Sequence, residues 1–112
     1  MSDCLFCKII SGEIPSSKVY EDDVCLAFND IDPQAPVHFL VIPKTHIGSV
    51  AEVNGGNSAV VAHIFEVIAK ITKEKNIESY RVVSNIGEQA GQSVPHLHFH
   101  VLAGRDMTWP PG

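Results

Sequence analysis

Runs of positive charge are missing from this chain, whose 8 Lys and Arg are outnumbered by 13 Asp and Glu for a net charge of −5. Without a basic stripe there is no electrostatic footprint for a phosphate polymer, which excludes polymeric DNA or RNA as a partner. Long apolar runs are missing as well. No stretch approaches the roughly 20 residues that span a bilayer, so no membrane association is expected. Met1-Ser2-Asp3 has neither the basic start nor the apolar core of an export signal. Cysteine is scarce, and three cannot all pair within one chain. In a reducing compartment the closely spaced Cys4 and Cys7 read as a metal site in preference to a disulfide framework. These absences together point to a cytoplasmic protein. The 112 residues make one domain, 1–112, with a single core, near the size at which a homodimer adds useful burial.

What is present reads as α+β. Lys18–Glu21 and Val24–Asn29 are short strands around the acidic corner Glu21-Asp22-Asp23. Asp32-Pro33-Gln34-Ala35-Pro36 is a turn, because two prolines fix φ and withhold an N–H, and Val37–Ile42 is a buried strand that Pro43 ends. Beyond the loop Asn54–Asn57, Val60, Val61, Ile64, Phe65, Val67, Ile68 and Ile71 form the apolar stripe of a helix over 58–75, capped by Asn57 or Ser58 and stopped at Asn76. Two further strands follow, Tyr80–Ile86 and His96–Ala103. This order predicts an antiparallel sheet with one helix-covered face.

Chemistry concentrates at the end of the chain. His96, His98 and His100 alternate with Leu97, Phe99 and Val101, and in an extended strand that spacing puts three imidazoles on one face at intervals of ~6.6 Å. Imidazole titrates near neutrality, so such a row can attack, exchange protons or bind a metal. Three readings stand. A three-histidine zinc centre is one, although positions on a flat strand do not by themselves converge on a tetrahedron. Covalent or acid–base chemistry is the second. A polar face or a pH-sensing interface is the third. The preceding loop, Gly87–Pro95, carries two glycines whose backbone could cradle an anion, or is merely a long hairpin connection.

The string His96-Leu97-His98-Phe99-His100-Val101-Leu102 resembles the signature of the histidine triad (HIT) superfamily. Its neighbours Gly91-Gln92-Ser93-Val94 and Trp109-Pro110-Pro111-Gly112, with Pro33-Gln34-Ala35-Pro36 and Leu40-Val41-Ile42-Pro43-Lys44 upstream, resemble the branch called histidine triad nucleotide-binding (HINT) proteins. That resemblance implies a HIT-like antiparallel sheet of about five strands with one long helix and a short N-terminal helix, the strands joining across a dimer. It also implies a purine nucleoside phosphoramidase of the adenosine 5′-monophosphoramidase type. His98 would attack the α-phosphorus to give a nucleotidyl-histidine that water hydrolyses, with His100 and His38 supporting it and Ser93 aiding the leaving group. Phe28 and Ile31 would line the base pocket and Asp30 would bind ribose hydroxyls. Asn85, Gly91, Gln92, Ser93 and Val94 would hold phosphate oxygens, and Trp109 would shape leaving-group selectivity. Read alone, Phe28 and Ile31 are ordinary core, Asp30 a turn former and Trp109 an anchoring aromatic.

By the same resemblance Cys4, Cys7, His46 and His96 would hold a structural Zn²⁺ that takes no part in the chemical step. A redox pair or two unrelated buried thiols are the other readings of Cys4 and Cys7. Cys25 reads as core. Pro95 stands where this branch often has an aromatic, which alters the mouth of the site. Two other functions remain open, a dinucleoside polyphosphate hydrolase and a nucleotide-binding scaffold with incidental catalysis. Triad-like nucleotidyl transferases of the sugar-phosphate type have glutamine where this chain has His100.

Overall fold

Alternating burial along the strands builds one antiparallel sheet with two different faces. In the computed structural model, which describes residues 4–112, the strands are β1 (Lys18–Glu21), β2 (Cys25–Asn29), β3 (Val37–Pro43), β4 (Tyr80–Val83) and β5 (Phe99–Ala103). They lie in the order β1-β2-β3-β5-β4, every neighbour antiparallel. Helix α1 covers Leu5–Ser11 and α2 covers Ser58–Glu74. Met1–Asp3, on which the absence of an export signal was read, lie outside the described residues. No helix among the described residues is long and apolar enough to cross a membrane.

Cys25, Ala27, Phe39, Val41, Phe99 and Val101 point to one face and pack under Ile64, Val67, Ile68 and Ile71 of α2. The intervening positions Leu26, Phe28, Leu40 and Ile42 point to the other, where Phe6 and Ile9 of α1 cover part of them. Both faces therefore carry a helix: the short N-terminal helix that the family resemblance implied covers the face that the element order alone left bare. Helix α1 is short, seven residues, so it leaves the rest of its face open for a site.

The corner between β1 and β2 is tied from within. Asp22 accepts from the amides of Val24 and Cys25 at 2.8 and 2.9 Å with one oxygen, while the other takes Tyr20 Oη at 2.9 Å and His63 Nε2 at 2.7 Å. His63 lies on α2, so this carboxylate joins the hairpin to the long helix. Asn57 is the N-cap of α2, but its side chain accepts from Asn54 instead of capping the helix.

Two expected strands are shorter than the sequence pattern suggests. β4 stops at Val83 because Ser84 leaves the ladder and donates its hydroxyl to the His98 carbonyl at 2.8 Å. β5 begins at Phe99, three residues after the expected start. Pro95 has no N–H to give, His96 bonds back to the Val94 carbonyl at 2.8 Å, and Leu97 donates to Ile47 instead of to a neighbouring strand. The three histidines are thus not one flat row on a strand: His96 and His98 precede it and only His100 lies within it.

Candidate active site and metal centre

Strand register decides which histidines meet. Leu40 pairs with His100 and His38 with Leu102, so His38 and His100 are diagonal neighbours on one face of the sheet. Their rings approach with Nε2 of His38 2.9 Å from Nδ1 of His100. His98, buried at the entry to β5, places its ring centroid 5.1 Å from that of His100.

The backbone assigns the protons. His98 Nδ1 lies 2.7 Å from the His96 carbonyl, which can only accept, so this nitrogen carries the proton and Nε2 keeps a free lone pair. His96 donates from Nε2 to the Pro43 carbonyl at 3.0 Å, leaving Nδ1 free. His38 accepts at Nδ1 from the Gln34 amide at 3.0 Å, so its proton is on Nε2 and is given to His100. Burial, with smaller contributions from His98 and His38 and against the pull of Asp30, lowers His100 to about 4. Its imidazole is neutral at physiological pH.

His98 and His100 open on a cavity of about 570 Å³. Among the residues singled out from sequence, Phe28, Asp30, Ile31, Ser93, Val94, His98 and His100 line it. Phe28 is both core and wall, whereas Ile31 is fully exposed at the rim. Asp30 is a turn former as well as a lining residue: one oxygen accepts the Asp32 amide at 2.8 Å, and the other lies 3.4 Å from His38 Nε2. His38 lies behind His100 and lines no part of the cavity.

The glycine loop contributes less backbone than its composition suggested. Gly91 and Gln92 give their N–H groups to Glu88 and Gly87 within the loop, and the Gln92 side chain bonds Gly87, Gly48 and Val94. Among the described residues, the Ser93 and Val94 amides have no internal acceptor, and both residues line the cavity. Asn85 does not line the cavity; its side chain lies beside Gly91, whose φ is +100° and where an added Cβ would meet Asn85 Nδ2 at 3.4 Å. Trp109 is not at the cavity: it is exposed beside Arg81, which lies 5.9 Å from its ring.

Cys4, Cys7, His46 and His96 converge, their four donor atoms all within 4.8 Å of one another. Sγ of Cys4 is 3.3 Å from His96 Nδ1, and Sγ of Cys7 is 3.4 Å from His46 Nδ1 and 3.6 Å from His96 Nδ1. The sulfur–nitrogen edge of a tetrahedron with ordinary Zn–S and Zn–N bonds is about 3.5 Å, so the donors fit that metal. Burial, then the neighbouring Cys4, push the Cys7 thiol up, and burial keeps His96 neutral as a ligand must be. A cation between the sulfurs would relieve the first effect. Cys25 stands apart, fully buried, its thiol pushed up to about 12 by burial and by Asp22.

Sequence reasoning missed the part of the cavity wall made by Leu5, Phe6 and Ile9 of α1 and by Ile14 to Ser17. Phe6 packs edge-on against Phe28 at 5.6 Å, His96 at 5.9 Å and His98 at 5.0 Å. The signal was the helical spacing of Leu5, Phe6, Ile9 and Ile10 directly after the first cysteine.

Comparison with known proteins places this arrangement among relatives. The family model described as "Scavenger mRNA decapping enzyme C-term binding" matches residues 3–109. An uncharacterized HIT-like protein of Synechococcus elongatus is 49% identical over 111 residues, covering 98% of this chain and 97% of its own. A HIT family hydrolase from Legionella pneumophila superposes with a TM-score of 0.95 at 48% identity, covering 98% of this chain and 100% of that one. A histidine triad protein from Clostridium difficile gives 0.92 at 51% identity, with 96% of each chain covered.

Proposed function

This chain belongs to the HIT-like protein family, and from that premise we propose that it is a nucleotide hydrolase of the HINT branch, cleaving the P–N bond of purine nucleoside phosphoramidates. The observation that carries this reading is the His98 ring, whose Nδ1–H is tied to the His96 carbonyl at 2.7 Å while Nε2 keeps its lone pair in a residue that lines the cavity. A histidine held in that tautomer is a nucleophile without further activation.

The nucleoside lies against Phe28 and Ile31 with its ribose at Asp30. The phosphate sits between His100 and the amides of Ser93 and Val94, where oriented donors stabilise developing charge. Nε2 of His98 bonds to the α-phosphorus as the P–N bond breaks, and the departing amine takes a proton passed by the exposed Ser93 hydroxyl. Water then adds its hydroxyl to phosphorus, the P–Nε2 bond breaks, and the remaining proton of that water replaces the one given to the amine. Cys4, Cys7, His46 and His96 would hold a structural Zn²⁺ that would fasten α1 to the sheet outside these steps. The β4 edge, with half-exposed Tyr80, is where strands of a second copy would join in a homodimer.

Incubation with adenosine phosphoramidate tests the reading. Wild-type protein releases AMP, and His98→Ala falls by at least ~10³-fold, the scale of losing a covalent nucleophile. Turnover by wild type no greater than by His98→Ala sinks the proposal.

A further inference from the structure

The loop Asp32–Pro36 offers few backbone donors, since Pro33 and Pro36 have none and the Asp32 amide is given to the Asp30 carboxylate. The Gln34 amide is aimed at His38 Nδ1 at 3.0 Å. Arg105, just past β5, reaches back and donates from Nε to the Gln34 carbonyl at 3.0 Å, while the Gln34 side chain bonds the Asp32 carbonyl at 3.0 Å. Pro36 is wedged against the same tail, so close that a Cβ on Gly104 would meet it at 2.9 Å. Three contacts therefore hold one peptide N–H in place behind a buried histidine.

An amide proton cannot be given up, and the nitrogen facing it must keep its lone pair. We propose that Arg105 and the Gln34 amide are positioning groups that lock the tautomers of His38 and His100, so that the site presents a neutral His100 Nε2–H donor beside the bare Nε2 of His98. The constraint passes outward: Gln34 N–H fixes Nδ1 of His38 as acceptor, His38 Nε2–H then fixes Nδ1 of His100 as acceptor, and His100 is left with its proton on Nε2. The consequence for chemistry is directional. A proton leaving His100 can be replaced through His38 only if His38 regains one at Nδ1, where the amide stands. The pair therefore holds a hydrogen bond to a phosphate oxygen and does not relay a proton to the leaving group. That role stays with Ser93.

A metal at Asp30, His38 and His100 is excluded by the same bond. Their donor atoms lie within 4.8 Å of one another, but His38 Nε2 can ligate only if its proton moves to Nδ1, against the Gln34 amide.

The catalytic consequence rests on the hydrolase reading; the tautomer lock does not. The test is long-range ¹H–¹⁵N NMR of the histidine rings, which distinguishes Nδ1–H from Nε2–H, run beside phosphoramidate kinetics. Wild type shows His38 and His100 both protonated at Nε2. Replacing the Pro33–Gln34 peptide by an ester removes the proton and keeps the shape. Both rings then shift to the Nδ1–H form, and kcat falls about 100-fold, as for loss of one oriented donor, with KM little changed. Arg105→Ala gives a mixture of tautomers and a smaller kcat loss, and Arg105→Lys restores both. Protonation of His38 at Nδ1 in the wild type, or unaltered tautomers in the ester variant, overturns the proposal. If wild type shows the two Nε2–H rings but hydrolyses no phosphoramidate, the lock stands and the hydrolase reading fails.

Discussion

Asp22 is a single side chain that joins three elements, and its charge is what lets it do so. Burial alone raises a carboxyl, but here hydrogen bonds from His63, the Cys25 and Val24 amides and Tyr20 outweigh it and hold Asp22 far below the usual carboxylate range. A carboxylate whose folded pKa is depressed contributes stability that is complete above the unfolded value of ~3.9 and is lost as the pH falls toward the folded one. Asp22→Asn keeps the shape and removes the charge. At pH 7 it destabilises by about 2 kcal/mol, in line with hydrogen bonds to a charged group. Its urea midpoint converges on that of wild type as the pH falls below about 4, and a gap constant from pH 7 to 3 contradicts the assignment. Legibility at this scale was uneven. Phe28, Asp30, Ser93, Val94, His98 and His100 were named through the family resemblance, and all line one cavity. The roles of Gln34 and Arg105 could not be named, because they are made by a backbone amide and a contact 71 residues away in sequence, neither of which leaves a mark on composition.

Among the elements, α2 shows how far a pattern can be trusted. Its apolar stripe predicted 58–75, and the helix covers Ser58–Glu74. The stop at Asn76 has a physical cause: φ there is +57°, and Asn76 and Ile77 donate back to Lys73 and Thr72 at 3.1 and 2.8 Å, the paired bonds of a Schellman ending. A β-branched residue in that left-handed conformation is strained, whereas glycine is not. Asn76→Val lowers unfolding free energy by roughly 1–2 kcal/mol, while Asn76→Gly leaves it within about 0.5 kcal/mol. Chemical denaturation reads both, and equal losses from the two variants remove the backbone argument. β5 was less legible for an equally concrete reason. Alternation continues from His96 onward, and the inward set Leu97, Phe99 and Val101 is real, but alternation reports which side a residue faces and not whether its backbone has a ladder partner. Leu97 faces the core while bonding Ile47, so pattern and pairing part company at the residues that carry the chemistry.

For the whole molecule, α1 is the joint between two sites. Cys4 and Cys7 begin it, and in the zinc reading they are anchored through His46 and His96. Leu5, Phe6 and Ile9 on the same short helix wall the cavity, with Phe6 against both His96 and His98. Seven residues are too few for a helix to stand unaided, so its placement depends on packing and on the cysteines. On the zinc and hydrolase readings, a metal that fastens α1 would prepare the cavity, and linkage would require the converse: nucleotide in the cavity would tighten the metal by the same factor. The zinc reading predicts that purified protein contains about one zinc per chain and that a Cys4→Ser, Cys7→Ser double variant contains none. Stripping the metal with a chelator lowers Tm by at least ~5 °C, about 1 kcal/mol or more for a domain of this size. It also weakens AMP binding by about five-fold or more, measured by calorimetry on the same sample before and after zinc is restored. Competition for zinc against a chromogenic chelator, with and without saturating AMP, must return an equal shift in metal affinity. Zinc retained in full by the double variant rules out these ligands, and AMP affinity indifferent to stripping shows that packing alone holds the wall.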